Sequence, residues 1–406
     1  MLRFGLVRVG GVMMAAAALA LTACGTTVTG GGGGGSGGSG AQGGTGGIGT
    51  GGTGGTGGIG TGGTGGGIGG TGGTGGGIGG TGGTGGGIGG TGGTGGGGGS
   101  LPECVDGPEV VLAMDRILLG DTDPNGTPNP TNGWKQYGRN IDGLVSTKES
   151  VGLCKPPAGG APAATYPDGY NGIDNSFGKN ILPIFLGLTS DLHAVNNERI
   201  WNGEFTYLLS ISNLGQEACA TSSTLYLGAN LGHQPFFDGS DVWPIDASSL
   251  TDPADPTSVP WEFSTTTLEQ GSVEAGPPGQ FDLVLRISDF DMVLPIHHAR
   301  ISMQLDADQM GATAGQISGV IYTQDLTDEV AKVAAAFDDS FCDPNSPTLQ
   351  SILNQLRQGS DILSDGTQDP TKPCDAISIG LGFTMKSAQL GPVAPAAPPP
   401  PDPCVP

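Results

Sequence analysis

The sequence predicts a mainly β domain, an antiparallel β-sandwich of jelly-roll type with two short accessory helices, preceded by a disordered glycine-rich tether. Beyond residue 100, apolar and polar residues alternate over several segments, and two other segments have the apolar spacing of helices. Residues 25–100 have neither pattern. We assign residues 24–100 to the tether and residues 101–406 to the domain, which could form one large β domain or two small ones.

Five strands are predicted from the apolar pattern. The clearest covers residues 377–385, where every second residue is apolar and Ser378, Gly380 and Gly382 lie between them. The same alternation occurs in residues 205–211, 281–287 and 299–305, and a fifth strand is expected over residues 317–323. Alternation of this kind is typical of antiparallel sheets with one buried face.

Two helices are predicted towards the C-terminal end. The first covers about residues 326–337, with Asp325 placed to cap its start. The second has Ser346 as N-cap, Pro347 at the first helical position and Gly359 just past its end.

Segments rich in proline and glycine are expected to be loops. Residues 156–170 and 252–260 are predicted to lie on the surface. The proline-rich residues 392–406 would normally form a loose tail, but a disulfide at Cys404 would fix them to the domain in extended form.

The tether has no charged and no aromatic residue after Cys24. The decapeptide TGGTGGGIGG begins at Thr61, Thr71 and Thr81 and returns imperfectly at Thr91. Glycine loses the most backbone entropy on ordering, and one isoleucine per repeat buries too little apolar surface to offset that loss. We expect a disordered spacer with a root-mean-square span of roughly 50 Å. A glycine-rich helical bundle, or a cell-wall partner for the repeats, is the alternative.

The beginning of the chain has the layout of an export signal. Arg3 and Arg8 are followed by an apolar run from Val9 to Leu21. This run of about 13 residues is shorter than the roughly 20 that a transmembrane helix needs. We therefore expect residues 1–23 to be a signal peptide.

Leu21, Thr22, Ala23 and Cys24 resemble the lipobox of bacterial lipoproteins. In that family the cysteine is acylated and the chain is cut just before it, so the resemblance implies lipidation of Cys24 and a membrane anchor. Gly25 rather than aspartate follows, which by resemblance to the sorting pattern of the family implies the outer membrane, with the domain in the periplasm or at the cell surface. The alternative is an ordinary cleaved signal with a chance cysteine.

Six further cysteines fit up to three disulfides in an oxidising compartment: Cys104, Cys154, Cys219, Cys342, Cys374 and Cys404. The first expectation for a bond is Cys342 with Cys374, because these two flank one predicted helix. Zinc is the competing interpretation, but the cysteines are scattered and include no C-x-x-C pair.

The domain is strongly acidic. All 38 acidic residues but only 13 of the 15 basic ones lie beyond residue 100, a formal charge of −25. Nucleic-acid binding is disfavoured because it needs a basic face. Adhesion to anionic lipid is disfavoured likewise, unless divalent cations bridge the two surfaces.

Two loops contain oxygen ligands that suit calcium. In the first, Asp121, Asp123 and Asn125 match the opening of an EF-hand loop, but Asn132 stands where that loop closes with glutamate. The EF-hand itself is therefore excluded, and a looser calcium site remains a candidate. A turn whose Asp and Asn side chains bond their own backbone is the alternative.

The second loop has Asp168, Asn171, Asp174 and Asn175 within eight residues. It could supply several carboxylates and carbonyls to calcium, which is the cofactor that the sequence suggests. Consecutive Asx and glycine turns are the alternative.

The four histidines, His193, His233, His297 and His298, lack metal-binding spacing. Because neighbours on a strand face opposite sides, we expect His297 to point inward and His298 outward. In the domain we find no G-x-S-x-G, H-E-x-x-H or phosphate-binding loop.

Three aromatic residues beside loop signals are candidate ligand-binding residues: Trp134, Tyr137 and Trp243, the last of which is close to Phe236 and Phe237. Exposed rings next to acidic and amide side chains suit stacking on sugars. Burial in the core is the alternative, since a sheet domain with few aromatic residues needs them inside.

These features predict a cell-envelope lipoprotein that displays a ligand-binding domain. The ligand would be a polysaccharide or another surface protein, bound with the help of calcium. One alternative is an extracytoplasmic hydrolase that uses paired carboxylates, for example Asp289 and Asp291. The other is a purely structural envelope component.

Overall fold

The computed structural model describes residues 101–215, 218–287, 290–335, 339–395 and Cys404. All of them belong to the unit Gly99–Pro406. The signal peptide, Cys24 and the whole of the tether that the sequence predicts lie outside the described residues, as do residues 396–403 and 405–406 of the proline-rich tail.

The described residues contain ten strands, which form one sheet. In chain order they are β1 (Val110–Leu118), β2 (Thr206–Ile211), β3 (Cys219–Gly228), β4 (Val242–Ile245), β5 (Glu262–Glu269), β6 (Ser272–Ile287), β7 (Phe290–Leu305), β8 (Gly311–Tyr322), β9 (Ala376–Ser387) and β10 (Gln389–Val393). Their order in the sheet is β10-β4-β3-β2-β1-β9-β8-β7-β6-β5, and β5 also pairs with β3.

The pairing of β5 with β3 closes eight strands into a ring, from which only β4 and β10 are left out. Neighbouring strands of the ring are antiparallel throughout. β4 continues the sheet beyond β3, and β10 runs parallel to it. The sheet is therefore mixed, and its closure encloses one large hydrophobic core.

The predicted mainly β class is confirmed. Each of the five predicted segments falls on an observed strand: β2, β6, β7, β8 or β9. In two cases the predicted segment extends one residue beyond the end of the strand. The observed β6 and β7 have 16 residues each and extend well beyond the predicted segments. The other five strands were not predicted, because their apolar residues do not alternate regularly.

The ring has a filled interior. Tyr207, Phe281 and Phe383 are fully buried, and the centroids of the Tyr207 and Phe281 rings are 5.9 Å apart in an edge-on arrangement. The space left between the side chains of the ring is about 10 Å³, which is close to the minimum for one water molecule. This space is too small for a ligand larger than water.

Five helices lie in the connections between the described strands: α1 (Pro162–Thr165), α2 (Leu182–Leu188), α3 (Leu192–Trp201), α4 (Thr323–Ala335) and α5 (Pro347–Arg357). The two predicted helices are confirmed as α4 and α5, with Ser346 as the N-cap of α5. The first of them begins directly after β8, slightly earlier than predicted. The short α1, α2 and α3 were not predicted, and α1 lies within the predicted loop 156–170.

The outer face of β9 is buried as well as its inner face. Ser378 has no exposed surface, and a Cβ atom at Gly380 would lie 2.1 Å from the carbonyl oxygen of Tyr137. At Gly382 a Cβ atom would lie 2.4 Å from the Tyr137 ring. The two glycines therefore allow the segment around Tyr137 to pack directly on the strand, whereas the alternation predicted one buried face only.

The inward position predicted for His297 is wrong. β7 has an irregularity between His297 and Arg300, and His298 adopts a φ of 51°. This bulge interrupts the alternation, so that Ile296 and Ala299 both face the core while the two histidines between them lie outside it. The His297 ring stacks on Tyr322, with 3.8 Å between centroids.

All six predicted disulfide cysteines are paired, as Cys104–Cys219, Cys154–Cys374 and Cys342–Cys404. The expected bond between Cys342 and Cys374 is wrong. Cys374 lies beside a distant segment, because its amide donates to the Lys155 carbonyl at 2.9 Å, and this places it next to Cys154. Cys404, in the proline-rich tail, is one of the bonded cysteines.

Candidate binding groove

A fork between two strands opens a groove at one end of the ring. β9 pairs with β1 as far as Ser387, and the next amide, of Ala388, still donates to the Val111 carbonyl at 3.0 Å. The chain then turns away, because the Gln389 amide donates to the Asp241 carbonyl at 2.9 Å and β10 continues beside β4. The beginning of β1 thereby loses its neighbour on this side.

We name the resulting cleft the fork groove. It has a volume of about 450 Å³ and is lined by residues 108–111, 308–310 and 387–390, a size in the range of small-ligand sites. Val110, Met310 and Leu390 contribute apolar surface. Its acceptor groups belong to Glu109, Asp308, Gln309 and Gln389.

A second feature borders this groove, the aromatic loop of residues 231–241. The buried carboxylate of Asp241 accepts hydrogen bonds from the amides of Phe236 at 2.9 Å and Phe237 at 2.6 Å. Phe237 has a φ of 54°, a conformation that costs a bulky residue roughly 1–3 kcal/mol and is concentrated at functional sites. The Phe236 side chain is 71% exposed, and the His233 ring lies 5.7 Å from it.

Gly239 connects the aromatic loop to the fork groove. Its carbonyl accepts a hydrogen bond from the side-chain amide of Gln389 at 2.7 Å. A Cβ atom at Gly239 would lie 3.1 Å from the methyl carbon of Met310 and 3.1 Å from Ser387 Oγ, and its φ is 92°. Because the backbone approaches so closely, the loop and the groove form one continuous surface.

The charged groups that line the fork groove are both acidic. Glu109 accepts a hydrogen bond from Ser210 Oγ at 2.6 Å, and Asp308 accepts one from the Met310 amide at 3.1 Å. Each contact holds the carboxylate through one oxygen. Among the residues that the structure describes, neither acid has an ion-pair partner and neither second oxygen has a donor.

No known protein family, curated protein or solved structure matches the chain. Among the described helices, none combines the length and apolar character that crossing a membrane requires.

The largest pKa shift occurs elsewhere, at Asp174 in an acid cluster formed by Asp168, Asp174, Asp361 and Lys179. Burial, reinforced by the neighbouring acids, raises the pKa of Asp174 to about 9. Burial likewise raises the pKa of Asp361 to about 7 and that of Asp168 to about 6. It lowers the pKa of Lys179 to about 8. Shifts of this kind mark candidate functional sites but also occur in structural networks.

Hydrogen bonds attach the segments that carry the acid cluster to the outside of β9. Asp361 accepts hydrogen bonds from the Ser378 amide at 2.9 Å and from its hydroxyl at 2.6 Å. Asp174 accepts one from the Ile141 amide at 2.6 Å. Asn175 beside it donates to three backbone carbonyls and accepts from two backbone amides. These buried groups bind the protein's own backbone, so the structure favours a structural role.

The two loops predicted to bind calcium also use their carboxylates locally. Asp123 accepts hydrogen bonds from the amides of Thr127 and Asn125, which lower its pKa. Asp121 lies instead beside His193, with 3.3 Å between Oδ1 and Nδ1. This first loop therefore has the geometry of a turn whose Asp side chain bonds its own backbone, which was the alternative to a calcium site.

In the second loop, Asp168 accepts a hydrogen bond from the Ser146 amide. Asn171 is exposed with a φ of 56°, and Asp174 is buried. Within the described part of the chain, no group of three or more His, Cys, Asp or Glu residues is arranged to hold a metal ion.

The aromatic residues predicted to bind sugars are all buried, with exposed fractions of 7% for Trp134, 1% for Tyr137 and 0% for Trp243. The ammonium groups of Lys135 and Lys179 lie 5.6 and 5.3 Å from the centroid of the Trp134 ring. None of the three therefore offers a ring face to solvent, which agrees with the alternative that these rings are buried in the core. The exposed ring nearest in sequence to Trp243 is Phe236.

The remaining polar candidates are engaged in contacts with the protein. Asp291 forms ion pairs with Arg199 and Arg286 at 2.9 Å each, and Asp289 lies outside the described residues. His297 lies 3.6 Å from Asp325. The sequence did not predict the fork groove, although two adjacent phenylalanines in a polar loop at residues 236 and 237 were a signal for an exposed ring.

Proposed function

We propose that the protein is a lipid-anchored envelope protein whose domain binds a ligand on its outer surface, in the fork groove and against the aromatic loop. The ligand is a polysaccharide or another surface protein. One observation carries this proposal: the exposed Phe236 is held by a buried carboxylate beside an open groove, while the interior of the ring is filled.

The organisation of the aromatic loop supports binding rather than a purely structural role. A residue with positive φ persists only where its surroundings hold it, and here the Asp241 carboxylate does so. A loop fixed in this way loses little entropy when it binds, because it is already ordered.

The anchor and the location are supported by separate features. Three disulfides are typical of proteins in oxidising compartments. The lipobox-like segment ending at Cys24 would provide the lipid, and the tether would let the domain reach ligands away from the membrane.

Array binding with the full chain in detergent tests the ligand-binding proposal. Neutral glycans and short peptides are displayed, and the Met310→Trp variant is compared with Leu188→Trp. Both residues are about half exposed, but only Met310 lines the groove. We expect a retained glycan or peptide to lose at least roughly tenfold in affinity with Met310→Trp, because the larger side chain fills the groove, and to bind Leu188→Trp normally.

If nothing on either array binds, or if both variants bind alike, the groove is not the binding site. The anchor is tested separately by intact mass. The Cys24→Ser variant should lack the acyl mass and leave the membrane fraction, and retention of this variant on the membrane would contradict the lipid anchor.

A further inference from the structure

We infer that the occupant of the fork groove is an extended, positively charged polypeptide segment that adds a short strand beside β1. This inference rests on the proposed binding function and specifies the partner. Three features support it: the open strand edges in the fork, the acidic lining, and the length of strand that the groove exposes.

The first feature is a pair of backbone edges that lack a neighbour. On β1, Val111 directs its carbonyl to Ala388, whereas Pro108 directs its carbonyl away, to the Leu214 amide. Hydrogen-bonding directions alternate along a strand, so Glu109 presents its amide and carbonyl to the groove. Among the described residues, β9 pairs with β1 no further than Ser387.

The other strand of the fork, β10, also has a backbone edge without a neighbour among the described strands. On β10, the Gln389 amide bonds towards β4, so alternation directs the amide and carbonyl of Leu390 to the opposite side, where Leu390 lines the groove. Unpaired strand edges bind extended chains by main-chain hydrogen bonds, with the side chains supplying selectivity.

The second feature is charge. Glu109 and Asp308 line the groove, no lysine or arginine does so, and the domain as a whole carries a formal charge of −25 from 38 acidic and 13 basic residues. A positively charged segment is attracted to such a surface, whereas an acidic partner is repelled. The free oxygen of each carboxylate can accept from a lysine or arginine side chain.

The third feature is length. Residues 108–111 form one wall of the groove, and at about 3.3 Å per residue they span roughly 13 Å. The groove therefore contacts three or four residues of an extended chain. Met310 and Leu390 can pack against the apolar part of that chain, and Phe236 is available to its flanking residues.

Synthetic hexapeptides test the inference on the full chain in detergent, by fluorescence polarisation. The probe alternates lysine and threonine and therefore places its charges on one side of a strand. One control alternates glutamate and threonine. A second control is the lysine-threonine peptide with every backbone amide N-methylated, which keeps the charge but removes all of the amides that strand addition uses. A neutral hexasaccharide is the fourth ligand.

We expect the lysine-threonine peptide to bind, with an affinity that falls as salt is added. Both control peptides should bind at least roughly tenfold more weakly. The Glu109→Gln, Asp308→Asn double variant should weaken binding by about tenfold, whereas Glu198→Gln with Asp328→Asn, which neutralises two exposed helical acids, should leave it unchanged.

Three results would overturn the inference. Equal binding of the N-methylated peptide would mean that charge alone attracts the ligand. Binding of the hexasaccharide without the peptides would leave the proposed ligand-binding function in place but make the occupant a glycan. Peptide binding that resists Met310→Trp would place the peptide outside the groove. The thermal midpoints of all variants are measured in parallel, so that a loss of binding is separated from a loss of folding.

Discussion

The fork groove and the acid cluster differ in what their polar groups contact. In the acid cluster, the carboxylates of Asp174 and Asp361 are buried and bind amides and a hydroxyl of the protein itself. In the fork groove, Glu109 and Asp308 are exposed, and one oxygen of each has no described donor. The cluster has the large pKa shifts, but the groove has the groups that are free to bind. In this protein, perturbed pKa values therefore indicate a structural attachment.

The largest expected effect is on stability and concerns Asn175 in that attachment. The Asn175→Ala variant removes five hydrogen bonds to backbone groups that cannot reach water. We expect the free energy of unfolding to fall by about 4 kcal/mol, because each buried group left unpaired is costly. Chemical denaturation with the disulfides intact measures the loss.

Asn230→Ala is the matched control, since Asn230 is exposed and makes one local bond, to the Gly232 amide. Its effect should stay within about 0.5 kcal/mol. If Asn175→Ala costs no more than this control, the segment around the acid cluster is not held by these bonds, and the structural interpretation of the cluster fails.

The sequence predicted those parts of the fold that depend on interactions between residues close together in the chain. The alternation in residues 377–385 predicted β9, and Ser346 with Pro347 predicted the start of α5. The closure of β3 on β5 and the disulfide partners of Cys154 and Cys374 connect distant segments, so spacing could not reveal them.

The candidate sites show the same limit. Asp168 and Asp174 were identified as a cluster of acids, but whether they bind a cation or the backbone depends on residues 141–146, far away in the sequence. The fork groove arises where β9 leaves β1 after Ser387, and no local pattern marks that position. Gly380 and Gly382 indicated close packing on the outer face of β9, but the prediction considered only the alternation of apolar residues.

The second prediction concerns pH. The pKa values of Asp168, Asp174 and Asp361 are raised in the folded protein above their ordinary value of 3.8. The folded state therefore binds more protons, and the stability it gains is fully present below the ordinary pKa of 3.8 and is lost as pH rises from there through the folded pKa values of about 6 to about 9. We expect the free energy of unfolding to fall by on the order of 3 kcal/mol between about pH 5 and pH 8.

Lys179 affects the pH dependence of stability in the opposite direction. Its pKa is lowered to about 8, so its burial costs stability below that pH, and the decline should become shallower above it. Asp361→Asn should flatten the profile, while Asp328→Asn, at an exposed position, should not. A profile that stays flat from pH 5 to pH 8 would mean that these carboxylates are already charged in the folded state at pH 5, which a bound cation would explain.

The third prediction concerns the aromatic loop. Asp241→Asn removes a charged acceptor for the amides of Phe236 and Phe237, so we expect a loss of about 1–2 kcal/mol in the free energy of unfolding. Binding of the groove ligand should weaken as well, because the loop is no longer held in its conformation.

Asp238→Asn is the control for that variant. Asp238 lies in the same loop but is exposed and accepts only from Ser240, so its effect on stability should be within about 0.5 kcal/mol. If both variants weaken binding equally, the contribution of Asp241 is its charge. If neither does, the ordered loop is not part of the binding surface.

The smallest expected effect is that of calcium on thermal unfolding of the full chain. Calcium takes six to eight oxygens, whereas Asp123 and Asp174 already accept backbone hydrogen bonds that a metal would have to replace. We therefore expect a change within about 0.5 kcal/mol, the size of an ordinary surface effect. A specific site at 100 times its dissociation constant would add about 2.7 kcal/mol, reversed by chelator. Such a shift would reverse the comparison between the two regions, because the acidic loops would then hold the ligand and the fork groove would lose its priority as the functional site.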